Sequence, residues 1–140
     1  MIWGRIKYLK ILVHVVAPVF FGSAIYGLFR GFHFIDPTEN IFPLYSVRVP
    51  ELLEYSLPDG LWFYSLISAI TLIWNDNMST YFLAWLLLVI ILTYCTEIFQ
   101  GLDFIPGTFD WYDLLSYSFA ILVYAFNFKN IRNQFQTTKN

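Results

Sequence analysis

Between Asp76 and Glu97 the chain places no charged residue, and YFLAWLLLVIILTYC, Tyr81 to Cys95, is nearly all apolar. That run limits the fold more than any other feature. About 20 apolar residues in helical geometry cross the hydrocarbon core of a bilayer. A backbone in hydrocarbon must satisfy its own polar groups, which a helix does. A membrane span over about 78–99 is therefore predicted. Three further stretches read the same way: about 8–29, interrupted by His14 and Pro18; about 60–74, opened by Pro58 and Asp59; and about 110–128. Composition agrees: 58% of residues are hydrophobic and 13% charged, where a soluble domain carries about 25% charge. The expectation is an all-α, polytopic membrane four-helix bundle, with 1–140 as a single transmembrane domain.

The start, RIKYLKILVHVVAPVFFGSA, imitates a signal peptide, with a basic flank, an apolar run and small residues. The apolar run continues to Phe29, longer than a signal peptide's apolar core, so it is read as an uncleaved first span. Ser23 and Gly27 are small residues four apart and suggest close helix contact there. Trp74 to Asn77 reads as a polar turn. The long connection, 31–57, holds Pro37, Pro43 and Pro50, and within it PELLEY suggests a short interfacial helix resting Leu52, Leu53 and Tyr55 on lipid.

Lys and Arg set the orientation. Arg5, Lys7 and Lys10 flank the first span, and Lys129, Arg132 and Lys139 follow the last, against Arg30 and Arg48 on the other side. Both termini are therefore expected in the cytoplasm, with the 31–57 and 101–109 loops outside. The five Trp and ten Tyr suit the interfacial belts of such a bundle.

With that topology, the unusual polar residues fall at one end. Asp59 opens the second span, Glu97 and Gln100 close the third, Asp110 and Asp113 open the fourth, and Arg30 and His33 leave the first. Thr93, Glu97 and Gln100 share one helical stripe, and Asp110, Asp113, Tyr117 and Tyr124 share another. Two readings stand for most of them. Asp59, Asp110 and Asp113 sit in first turns, where a carboxylate caps free N–H groups and suits the helix dipole; they also suit the lining of an outward-facing polar site. Gln100 with Gly101 suits an ordinary helix end. Glu97 fits capping least well, because it lies a turn inside the helix, where a carboxylate should turn inward and find a partner. Arg30 is one such partner. His14 reads as a histidine satisfied within the bundle, His33 as a loop residue, and Cys95 as a small buried hydrophobe that has no second cysteine to pair with. Asp103 falls in an exposed loop.

The chemistry these residues indicate is broad. Glu97 and Asp113 form a carboxyl pair of the kind that serves acid–base catalysis, but nothing in their spacing is specific to it. No metal-ligand spacing, phosphate-binding glycine loop or Ser–His–Asp arrangement stands out. No metal or cofactor is expected. A net charge of −2 provides no basic surface for nucleic acid.

One arrangement is more particular. Glu97-x-x-Gln100, then Pro106–Gly107, then Asp110 and Asp113 opening a helix, resembles the VanZ-like family of small bacterial integral membrane proteins, and Asp59 in LPDGLW resembles that family's early aspartate. PDGLW and FDWYDLL are closest to the family's short variants. The likeness covers roughly Leu57 to Tyr124. Other positions of the pattern differ: Gly60 and Trp62 lie where the family often has a Lys and a His, Thr108 where it often has an Arg, and Tyr117 where it tends to have an Asn. The resemblance implies a multi-pass protein of the bacterial inner (plasma) membrane and cell envelope; some family members are linked to teicoplanin resistance. The functional expectation is a binding protein for a membrane lipid or lipid-linked head group, with Glu97, Gln100, Asp110, Asp113, Asp59 and Arg30 as ligand-binding residues. The alternatives are a small structural subunit, packed against a membrane protein partner or its own copies, and an enzyme acting on a lipid-linked substrate.

Overall fold

Two prolines sit inside helices, and each is preceded by a widened turn. Pro has no N–H and its ring clashes with the carbonyl four residues back. An extra residue in the preceding turn relieves both problems. In a computed structural model describing residues 8–30, 50, 52–74 and 79–132, a π-helical turn, Leu12–Val16, precedes Pro18, with the Ala17 N–H bonded to the Leu12 carbonyl. A second π turn, Leu52–Ser56, precedes Pro58. Both helices continue through their proline. The first, α1, covers Tyr8–Phe29; α2 covers Leu52–Ile73. Two more follow, α3 at Thr80–Gly101 and α4 at Trp111–Arg132. Of Arg30 and Arg132 only the backbone is described.

The regular structure among the described residues is thus all helical, as expected, and α1, α2 and α3 are long and apolar enough to cross a membrane. The fourth helix matches α3 in length but is less apolar, carrying Asp113, Tyr117, Tyr124, Asn127 and Lys129. Two expectations need correction. The second span begins near 52, not 60, so PELLEY contributes to the first turns of α2 and is not a separate interfacial helix; Leu52, Leu53 and Tyr55 do remain exposed. Pro58 and Asp59 consequently lie within α2, made possible by the π turn ahead of them. Ser79 caps α3, its Oγ accepting the Phe82 N–H. Residues 75–78, most of the expected polar turn, lie outside the described residues, as does His33.

The central helix is α2. Phe63, Tyr64, Ser65, Ile67, Ser68, Ile70 and Thr71 are all buried, so nearly its whole circumference is covered. It runs antiparallel to α1: His14 and Tyr64 share a 2.7 Å hydrogen bond, and the Ser65 hydroxyl donates to the Val15 carbonyl in the π turn of α1. It runs alongside α4 in the same direction. Phe63 meets Tyr117 edge-on with centroids 5.4 Å apart, and the Thr71 and Tyr124 hydroxyls are bonded. Hydroxyl ties of this kind are the usual adhesive between helices in lipid.

Small residues set the spacing. A methyl on Gly60 would stand 3.1 Å from Ser116 Cβ and 3.2 Å from its carbonyl oxygen, and one on Gly22 would stand 2.8 Å from Trp62 Nε1. The close approach of α1 to α2 therefore centres on buried Gly22, whereas Ser23 and Gly27 are only half-buried. Far from Gly60, Lys10 Nζ donates to the Ile131 carbonyl at 2.8 Å, a cation against the carbonyl end of α4.

The peripheral helix is α3. Only Phe82 and Glu97 are buried along it, while Leu83, Trp85, Leu87, Leu88, Ile91 and Leu92 are exposed. Gly60→Val should press α2 away from α4 and lower stability by about 1–3 kcal/mol, the usual cost of overpacking. Ala125→Val, on an exposed face, should change it by less than about 0.5 kcal/mol. Thermal melts of the two detergent-solubilised variants check the contrast.

Candidate functional site

The acids of α2, α3 and α4 fall at one end of the bundle. The last turns of α3 bring Glu97, the first turn of α4 brings Asp113 with Asp110 just before it, and α2 brings Asp59. Tyr117, one turn further into α4, lies within electrostatic reach of Asp59, Glu97 and Asp113. The stripe expected from 110, 113, 117 and 124 is the inward face of α4: Tyr117 and Tyr124 are buried and Asp110 and Asp113 half-buried.

Glu97 is the centre of the group. It is 6% exposed. Its Oε1 is 3.5 Å from the Tyr117 hydroxyl, at the outer limit for an O–H···O bond. Its Oε2 is buried and makes no hydrogen bond. A carboxyl this far from water normally has both oxygens hydrogen-bonded, so Glu97 is held at a cost, with one buried oxygen that makes no hydrogen bond.

The other expected residues divide. Asp110 is a cap: its Oδ1 accepts the Tyr112 N–H at 2.8 Å. Asp113 is a first-turn acid facing Glu97, and Asp59 completes the cluster near Tyr117. Gln100 turns instead onto the Pro106–Gly107 turn; a methyl on Gly107 would stand 2.6 Å from its Cδ, and Gly107 has φ +147°, a backbone geometry suited to glycine. Gln100 thus braces the loop that delivers Asp110. Thr93 bonds back to its own helix at the Val89 carbonyl. The Arg30 side chain lies outside the described residues. Asp103, with φ 57°, is in the exposed loop, as expected. His14 is indeed held within the bundle, through Tyr64. Among the described residues, no group of three His, Cys, Asp or Glu is placed to hold a metal ion.

One feature was not expected from the sequence. A cavity of about 820 Å³, within the usual range for ligand sites, lies between α1, α2 and α4. Its wall is mostly aliphatic and aromatic, including Val13, Pro18, Leu53, Leu61, Leu115 and Phe119, with His14, Tyr64, Ser116 and Asn127 as the polar exceptions. Its α4 wall runs from Leu115 to Asn127, about 18 Å at 1.5 Å per residue, comparable to the depth of one leaflet of a roughly 30 Å core. The Gly60–Ser116 contact separates this groove from the acidic cluster on the other side of the same helix pair. Only the regular recurrence of 115, 116, 119, 120, 123 and 127 on one face of α4 hinted at it.

The fold and site define an all-helical protein with three helices long and apolar enough to cross a membrane and an acidic cluster at one end of the bundle. Comparison of the chain with protein-family models, with curated proteins and with solved structures gave no match.

A satisfied polar pair and an unsatisfied carboxyl should respond oppositely to removal. Tyr124→Phe, which breaks the Thr71 bond, should cost about 1 kcal/mol. Glu97→Leu should be neutral or stabilising by up to about 3 kcal/mol, because it removes a buried charge-bearing group without breaking a good bond. Reversible unfolding in detergent, followed by circular dichroism, measures both.

Proposed function

We propose that this protein binds a membrane amphiphile, with the polar head group received at the acidic end of the bundle. The observation that carries this reading is Glu97: a buried carboxyl with an oxygen left without a partner, and the one charged residue of α3. Binding sites are where a protein tolerates such local cost. The apolar groove between α1, α2 and α4 supports the reading, since it reaches the same end through Leu52, Leu53 and Leu57 and suits an aliphatic chain. The protein is a VanZ-like member of the bacterial inner membrane in this proposal, with four spans, both termini cytoplasmic and the acidic site facing out. The contact of Gln100 with Gly107 and the placement of Asp110 by that turn give the Glu97-x-x-Gln100, Pro106–Gly107, Asp110 pattern a physical purpose: it assembles the site.

A second reading has its own support. The exposed apolar face of α3 suits a partner helix as well as it suits lipid, as expected of a small subunit in a larger assembly or of a homo-oligomer.

Purified protein should retain co-purifying lipid in native mass spectra. Glu97→Gln should reduce that retention several-fold, and Asp103→Asn should not change it. Equal retention in all three would remove Glu97 from the binding role. Orientation is checked separately: with Cys95→Ala as background, Asp103→Cys should react with a membrane-impermeant maleimide added outside intact cells, and Lys129→Cys should react only after lysis.

A further inference from the structure

We infer that the groove between α1, α2 and α4 takes a neutral, bilayer-soluble molecule through a carbonyl oxygen on an otherwise aliphatic body, and that the His14–Tyr64 pair donates the hydrogen bond that holds it. The site is the groove alone, and Glu97 has no part in it. His14 and Tyr64 come from adjacent helices, both line the groove, and His14 Nδ1 stands 2.7 Å from the Tyr64 hydroxyl. A neutral imidazole has one N–H and a tyrosine one O–H. One of these two protons is spent on the bond between the pair. The other is left over in either tautomer: it is His14 Nε2–H where Tyr64 donates, and the Tyr64 O–H where Nδ1 donates. Ser68, one turn further along α2, makes no hydrogen bond, so the spare proton is not passed on to it.

That proton is presented to a nearly apolar wall. The wall carries no Asp, Glu, Lys or Arg, and Ser116 and Asn127, its other polar side chains, donate to carbonyls of α4 and its first turn at Asp113 and Val123. With α2 as a span, Tyr64 lies about 18 Å from the Leu52 end and about 14 Å from the Ile73 end, at 1.5 Å per residue. It is then near the middle of a roughly 30 Å core, away from water and from the interfacial layer that holds phospholipid esters. A donor in hydrocarbon without an acceptor costs free energy, and a ligand that brings an acceptor offsets that cost. A carboxylate or phosphate would reach a wall without a balancing charge. A plain alkyl chain would fill the space and leave the donor as it was. A carbonyl is neutral and accepts, and a cavity of about 820 Å³ that is apolar apart from a few placed polar groups is the usual form of a small-molecule site.

The test uses the full chain in nanodiscs of an ether-linked phospholipid, which brings no carbonyl of its own. Two probes are added in equal amounts: a long-chain ketone with an isotope-labelled mid-chain carbonyl, and the n-alkane of equal length. Probe retained on the released protein is counted by native mass spectrometry, and the labelled carbonyl stretch is read by infrared difference spectroscopy. The wild-type protein should retain the ketone about fivefold over the alkane, the factor expected of one neutral hydrogen bond, and should lower the stretching frequency of the bound carbonyl. The double variant His14→Leu/Tyr64→Phe removes both donors. Because both partners of the bond go together, its melting temperature should stay close to that of the wild type. It should retain the two probes equally and leave the stretch unshifted, whereas Glu97→Gln should keep both the preference and the shift. Equal retention in the wild type with no shift leaves a plain alkyl groove and overturns the assignment. A shift that survives the double variant and disappears in Asn127→Leu moves the donor to Asn127 and overturns it too. Retention of neither probe overturns the groove as a site, while the head-group role of Glu97 is decided separately by the lipid retained in Glu97→Gln.

Discussion

Helices that share a bilayer gain little from burying apolar surface against one another, because lipid is as apolar as leucine. Close backbone approach and hydrogen bonding are the ties that serve such helices, and in this bundle both converge on α2. Gly60 lets α4 close on one side, and Gly22 of α1 accepts Trp62 on another. Tyr64, Ser65 and Thr71 carry the side-chain bonds to neighbouring helices. The prolines at 18 and 58 belong to the same constraint. Each would break a helix in lipid unless its turn were rearranged, and the π turns at Leu12–Val16 and Leu52–Ser56 do that within the helix.

Against that frame of satisfied contacts, the Glu97 carboxyl is an exception. Among the described residues most polar groups are tied: the Tyr64, Ser65, Thr71 and Tyr124 hydroxyls are bonded between helices, the Lys10 ammonium meets a carbonyl, and Asp110 caps a helix, whereas the Ser56 and Ser68 hydroxyls are buried without a bond. Glu97 is as deeply buried as these ties and has only a 3.5 Å contact to Tyr117. A buried carboxyl with an oxygen that makes no hydrogen bond costs more than an untied hydroxyl, and that cost points to function more strongly than the number of acids does. The peripheral position of α3 adds to this, since Glu97 and Phe82 are its buried residues, so the helix that bears the carboxyl is the one least constrained by packing.

Much of the arrangement was legible in the residues. The charge-free run before Glu97 gave α3, and the 3.6-residue period placed Tyr117 and Tyr124 on the inward face of α4. The shared end of Asp59, Glu97, Asp110 and Asp113 followed from alternating helix direction. The start of α2 was missed because Pro58–Asp59 is an ordinary helix opening, and nothing in one sequence distinguishes it from a proline tolerated behind a π turn. Gln100 was grouped with Glu97 because they share a stripe; the competing glycine at 107, which leaves room for its side chain, acts from outside the helix. The groove was missed for a related reason. It is a space between three helices, bounded by residues whose types suit packing equally well.

What meets Glu97 Oε2 decides the role of this end of the bundle, and a structure determined in native lipid measures that directly. Non-protein density within hydrogen-bond distance of Oε2, continuing toward an aliphatic chain, is the expected result. An Arg30 guanidinium closed on the carboxyl, with no other density beside it, would contradict it and leave Glu97 as a structural tie.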